Sequence, residues 1–162
     1  MKFFAVLLLL PLFIGLSTSV EAQATYEANK DLKVRKKKKM GNRLRKNGSY
    51  YNAVKYYEDV HAKKPEKTRI IYFLAELNYD LRDYQEAEKW YTELVKLDEG
   101  GKGYPLARFK QAKSMKANGK YEEAKAVFAE FGEKYNEKKT KEIYQELAKK
   151  EIEGCDYALE QM

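Results

Sequence analysis

Few side chains in this sequence are placed for bond-making chemistry. His61 is the only histidine; it sits beside Ala62 in a helical run, with no Ser, Cys or metal-ligand partner at a usable spacing. Cys155 is the only cysteine, which excludes an internal disulfide framework and a multi-cysteine metal site. It reads as a small buried hydrophobe in a C-terminal helix. Carboxylate pairs are plentiful, as in Glu122-Glu123 or Glu151 and Glu153. Glutamates with Lys one helical turn away are solvated surface more readily than acid–base pairs. Neither a Gly-rich phosphate loop nor a zinc spacing occurs. The expectation is a protein that is not an enzyme and holds no cofactor and no metal. What remains is binding, and the densest charge is Arg35-Lys36-Lys37-Lys38-Lys39. As a patch it would attract anionic surfaces; as helix surface it is solvated, because consecutive helical residues point in different directions.

The elements that position such residues follow from composition. A chain of 162 residues has room for one compact domain, taking roughly 150 residues per domain. Only 9 Gly and 3 Pro occur, so turns are few and helices are favoured over a sandwich or barrel. The 14 Tyr, 7 Phe and 1 Trp supply more buriable area than a disordered chain needs. A formal net charge of +7 permits an acidic partner without naming one.

Lys2, the apolar run Phe3 to Leu16 and the small, polar Ser17 to Ala22 follow the order of a secretory signal peptide. Cleavage after Ala22 or after Ala24 both fit the small-residue rule. An uncleaved anchor is the other reading, but the run is shorter than the ~20 residues a span needs and contains Pro11. The expected location is the periplasm or the exterior, where a basic protein meets acidic proteins, lipids or polymers and no nucleic acid.

An internal repeat carries the fold. Gly48-Ser49-Tyr50-Tyr51-Asn52-Ala53, Arg82-Asp83-Tyr84-Gln85-Glu86-Ala87 and Gly119-Lys120-Tyr121-Glu122-Glu123-Ala124 align, with Ala53 and Ala87 34 apart and Ala87 and Ala124 37 apart. Twelve residues before each Ala stands Gly41, Ala75 or Ala112; four after it Tyr57, Tyr91 or Phe128; seven after it Val60, Leu94 or Phe131. Offsets of minus three, four and seven place Tyr, aromatic and apolar residues with each Ala on one face of a 3.6-period helix, and the earlier small residue lies on the facing helix. Short linkers at Lys46-Asn47-Gly48, Asp80-Leu81-Arg82 and Ala117-Asn118-Gly119 leave room only for tight turns, so each unit is an antiparallel helical hairpin. One hairpin cannot bury its face, but stacked hairpins can.

On these columns the sequence resembles the tetratricopeptide repeat family. The resemblance implies an all-α solenoid of three hairpins plus a C-terminal capping helix, seven helices in all. The expected divisions are a signal peptide at 1–22, an N-terminal extension at 23–33, repeats at 34–67, 68–101 and 105–138, and the cap at 139–162. Ile143, Leu147, Ile152, Cys155 and Leu159 give the cap one apolar side. Three extra residues within Glu99-Gly100-Gly101-Lys102-Gly103-Tyr104-Pro105 imply altered spacing or rotation before the third hairpin. Gln111 departs from the family's apolar residue, and only Pro65 supplies its terminal proline.

The resemblance also implies a concave groove lined by the first helix of each repeat. Its residues would be Arg35, Lys38, Asn42, Arg45 and Lys46, then Arg69, Tyr72, Glu76, Tyr79 and Asp80, then Leu106, Phe109, Lys110, Lys113 and Lys116. The implied ligand is a protein or peptide segment with acidic groups near the first repeat, anchored on Tyr72, Tyr79 and Phe109. Some family members clamp a terminal carboxylate. Lys38 and Asn42 match that pattern and Lys110 its third-repeat cation, but Phe73 and Leu106 stand where the clamp has polar residues. A membrane or polymer surface meeting the basic first helix is the alternative partner. The signal ending in Ala-Gln, the three repeats and the closing Ala148 to Leu159 are also similar to the N-terminal part of exported OmpA-family proteins of Bacteroidota. Some of those serve type IX secretion and gliding, which implies a scaffold in the cell envelope.

Overall fold

The computed structural model describes residues 26–162 except 28, 30, 136, 138 and 139; the expected signal peptide therefore lies outside the described residues. Among them are seven helices and no strand: α1 Val34–Lys46, α2 Tyr50–Lys63, α3 Thr68–Asp80, α4 Tyr84–Leu97, α5 Ala107–Ala117, α6 Tyr121–Lys134 and α7 Lys141–Glu160. Each packs on its neighbour in sequence, the hairpin solenoid that the repeat implies.

The three hairpin turns are built alike. Gly48 and Gly119 take φ +76° and +78°, in the left-handed region where glycine has no Cβ to clash. The amide after each bonds back across the helix end, Ser49 N to Leu44 O at 2.9 Å and Lys120 N to Met115 O at 3.0 Å, closing carbonyls that the helix leaves open. The middle turn makes the same bond, Asp83 N to Asn78 O at 2.9 Å, but with Arg82 at φ 62°. Asp83 then caps α4 by accepting from Glu86 N at 3.2 Å, which satisfies one of the helix's free donors.

Within each hairpin the repeat columns form the core. Ala53, Ala87 and Ala124 are fully buried together with Tyr57, Tyr91 and Phe128. Gly41 lies so close to Tyr57 that a Cβ there would stand 2.8 Å from the ring. The core is not continuous. One cluster runs from Ala53 through Tyr91 and Leu94 to Ala107, and a second joins Phe109, Phe128 and Phe131 to Ala148 and Cys155. Ala107 of α5 reaches the first cluster, and the rest of the joint between hairpins two and three carries polar bridges. Gln111 donates to Thr92 Oγ1 at 2.9 Å, Asn118 to Glu88 at 2.7 Å, and Lys120 pairs with Glu88 at 2.7 Å. Gln111, the residue that departs from the family's apolar column, is thus one of three that bridge this joint. The three extra residues before it are folded around Asp98, whose carboxylate accepts from Gly103 N at 3.1 Å and Tyr104 N at 2.8 Å.

His61 is structural. It pairs with Glu93 at 3.4 Å when protonated and meets Trp90 edge-on at 4.9 Å, linking α2 to α4. No described helix is long and apolar enough to cross a membrane.

Candidate partner-binding groove

The first helices of the hairpins, α1, α3 and α5, share a face, because side chains bridge directly between them. Arg45 of α1 lies over the ring of Phe73 on α3, 4.3 Å from its centroid, and Arg69 of α3 lies 5.5 Å from the same centroid. Two guanidinium groups therefore flank one aromatic ring, which their charge favours electrostatically. Neither has a carboxylate partner among the described residues, and Arg45 Nε is buried with no hydrogen-bond partner. A buried N–H left unmade is costly. Below them Tyr57, with its ring centroid 5.4 Å from that of Phe73, donates its hydroxyl to Asn42 Oδ1 at 2.8 Å. Burial pushes the Tyr57 hydroxyl up in pKa, while hydrogen bonding and then charge from the Arg45 guanidinium pull the other way.

One repeat further the charge is consumed internally. The Glu76 carboxylate accepts from Lys110 Nζ at 2.5 and 2.6 Å and from the Tyr91 hydroxyl. Burial first and then the charge of Glu76 hold the Tyr91 hydroxyl far above the ordinary tyrosine range, so it stays a donor. The same two causes raise Tyr72, whose ring stacks on Tyr104 at 4.9 Å. At the far end Lys116 and Lys113 pair with Glu151 of α7 at 2.8 and 3.6 Å.

These contacts sort the expected groove residues. Arg35 and Lys46 are exposed on α1, Lys38 is half-buried there, and Arg69 is exposed on α3. Arg45, Arg69 and Tyr72 converge around Phe73. Tyr79 is half-buried and meets Tyr84 edge-on at 5.3 Å, at the hairpin turn. Asp80 is exposed, its carboxyl raised by burial and then by Glu76. Phe109 is a correction: it is 7% exposed, packed against Phe128, Phe131 and Tyr144, because α7 covers it. Leu106 packs on the same cluster. Lys110, Lys113 and Lys116 are engaged in ion pairs and Asn42 is held by Tyr57, so of the residues that match a carboxylate clamp Asn42 and Lys110 are committed to neighbouring helices, whereas Lys38 has no ion pair among the described residues.

Phe73 and Tyr104 were not among the expected anchors. Phe73 was visible in the sequence as the departure from the clamp pattern. Tyr104 reaches Tyr72 only through the three-residue insertion, a placement that no column of the repeat encodes.

The basic run also divides. Lys37 turns away from its neighbours to pair with Asp59 on α2 at 2.5 Å, Lys38 lies on the groove side, and Lys36 and Lys39 are exposed on the outer edge of the array.

A hairpin solenoid with a charged aromatic face on its first helices is a class of binding scaffold. Residues 38–102 match the tetratricopeptide repeat family. Among solved structures, the first tetratricopeptide domain of Spaghetti (RPAP3), bound to the HSP90 peptide SRMEEVD, is 23% identical with a TM-score of 0.60, over 78% of this chain and 93% of that one. The type III secretion chaperone SycD of Yersinia enterocolitica, in complex with a peptide of the translocator YopD, is 15% identical with a TM-score of 0.63, over 76% and 92%. The second tetratricopeptide domain of human RPAP3, in complex with the HSP70 peptide SGPTIEEVD, is 25% identical with a TM-score of 0.57, over 70% and 92%. No curated protein matches the sequence.

Proposed function

We propose that this protein is an exported tetratricopeptide scaffold that seats an acidic segment of a cell-envelope protein on its first-helix face, between Arg45 and Arg69. The observation that carries the reading is the pair of guanidinium groups against Phe73 with no acid among the described residues to neutralise them. A planar carboxylate suits a guanidinium fork, and charge-assisted hydrogen bonds of that kind are the strong ones. Half-buried beside an aromatic ring, Arg45 is worth more to such a pair than a solvated lysine. The neighbouring Tyr72 and Tyr104 offer a flat apolar wall for the residue beside the acid. The peptides bound by the two RPAP3 domains are acidic toward their ends, as SRMEEVD and SGPTIEEVD show, which supports an acidic ligand here. The N-terminal run and the likeness to OmpA-family envelope proteins support export and a place in an envelope assembly, such as secretion or gliding machinery.

The test is a fluorescence-anisotropy titration of the full chain with the labelled probe peptide SRMEEVD, repeated with Arg45→Gln/Arg69→Gln, Tyr72→Ala/Tyr79→Ala and Lys38→Glu. The arginine pair should weaken binding by about tenfold or more, since truncating one partner of a close charge pair costs roughly 2 kcal/mol or above. Unchanged affinity in that variant sinks the reading. Capture of envelope material that survives aromatic loss but not Lys38→Glu/Arg45→Glu would replace it with anionic-surface binding.

A further inference from the structure

The two ends of the array carry faces that the hairpins do not use. At the N-terminal end, Lys36, Lys39, Arg43 and Lys46 follow one another at intervals of three or four residues along α1, all exposed. They form one outward stripe. None has an ion-pair partner among the described residues. With Leu32 and Met40 they line an open depression of about 610 Å³. At the C-terminal end, α7 buries Ala148 and Cys155 against α6 and turns Ile143, Leu147 and Tyr157 outward, 60%, 39% and 66% exposed. Along one flank of that apolar stripe run Glu142, Glu146, Glu153 and Glu160, all exposed. Among the described residues only Glu146 of these has an ion pair, with Lys150 at 4.0 Å, and against the exposed Lys149 and Lys150 the four glutamates leave the row net acidic.

We propose that a second copy of this chain covers each of these faces, the acidic and apolar face of α7 in one protomer seating on the basic depression of α1 in the next. The two surfaces match in kind. Each is a helix of at least three turns, one with apolar knobs and a row of acids, the other with an apolar hollow among cations. Complementary charge would steer the approach and set the polarity, and the apolar side chains would supply the area removed from water. The faces lie at opposite ends of the array and differ from one another, so the contact is heterologous and leaves a free head and a free tail on every assembly. The result is head-to-tail chains that extend the solenoid and place successive grooves in a row. This contact uses neither Arg45 nor Arg69 and stands apart from ligand binding.

Sedimentation velocity of the full chain over a range of concentration and salt tests it. The wild type should form concentration-dependent oligomers that dissociate at high salt. The head variant Lys36→Glu/Arg43→Glu and the tail variant Ile143→Ser/Leu147→Ser should each weaken association by about tenfold or more while keeping the helical circular dichroism and melting temperature of the wild type. Mixed in equal amounts, the two variants should form a dimer and stop there, since only one intact head and one intact tail remain to meet. A wild type that stays monomeric up to its solubility limit overturns the proposal. So do variants that associate alone as tightly as the wild type, or a mixture that remains monomeric.

Discussion

Gly41→Ala sets two opposing magnitudes against each other at one buried position. In the second and third hairpins the same column holds Ala75 and Ala112, both fully buried, so an alanine is compatible with the repeat in general. An alanine in a helix interior is favoured over glycine by about 1 kcal/mol. At Gly41, however, the added Cβ would lie 2.8, 3.0 and 3.2 Å from Cε1, Cδ1 and Cζ of Tyr57. That ring cannot swing aside freely. It is fully buried, packed on Phe73, and tied through its hydroxyl to Asn42 at 2.8 Å. Forcing an extra carbon into a closed site costs about 1–3 kcal/mol, and a ring displaced from Asn42 loses a further ~1 kcal/mol of hydrogen bonding. The steric and polar losses outweigh the propensity gain, and a net destabilisation of about 1–3 kcal/mol is expected, a fall in melting temperature of roughly 2–12 °C. Thermal unfolding by circular dichroism reads it. The cause is isolated by repeating the substitution in a Tyr57→Leu background, where Gly41→Ala should become neutral or stabilising. A melting temperature that rises in the wild-type background refutes the reasoning, for it would mean that the hairpin opens at no cost.

Arg82→Gly should act in the opposite direction. Relief of the left-handed backbone returns about 1–2 kcal/mol and the freer unfolded glycine takes back about 0.5–1, leaving a gain near 1 kcal/mol and a melting temperature higher by about 2–4 °C. Asp80→Asn should stabilise the protein at neutral pH. Its carboxyl is raised in the folded state, so the ionised form disfavours folding above that value. As pH falls through the raised value toward the ordinary aspartate range, the folded chain takes up the proton first and the advantage of the variant disappears. Denaturant unfolding at several pH values checks the sign. Cys155 is fully buried and its thiol is pushed up by burial, so iodoacetamide should label it only under unfolding conditions, monitored by intact mass.

The hairpins were legible in the sequence because each rests on a local rule. Small and aromatic residues recur at fixed helical offsets, and Gly48 and Gly119 stand where a helix must end. The middle turn was legible only from its spacing, since Arg82 carries none of glycine's signal and still takes its conformation. The groove was legible less well. Helical spacing places a residue on a face but does not say what the neighbouring element does to that face. Phe109 has the spacing of an anchor, yet α7 lays Tyr144 across it. Lys110, Lys113 and Lys116 have the spacing of ligand cations, yet each has an acid within reach, Glu76 on α3 or Glu151 on α7.

The distribution of free charge follows from the repeat itself. Ion pairs on this face join residues about one repeat apart: Lys110 and Glu76 are separated by 34 positions, Lys116 and Glu151 by 35. A cation therefore remains available to a partner when the position one repeat away offers no acid. For Arg69 the residue 34 positions earlier is Arg35 and the residue 34 positions later is Gly103, a like charge and no side chain. Arg45 has Asp80 at 35 positions, but its guanidinium lies instead over Phe73, nearer the start of α3. The unneutralised charge thus gathers at the junction of the first two repeats, beside the one aromatic ring that both guanidinium groups contact. A net charge of +7 spread over the surface would attract any anion weakly. On the function proposed above, two arginines left without acids beside a shared ring would select for a carboxylate at one place, a selectivity set by the repeat register more than by the total charge.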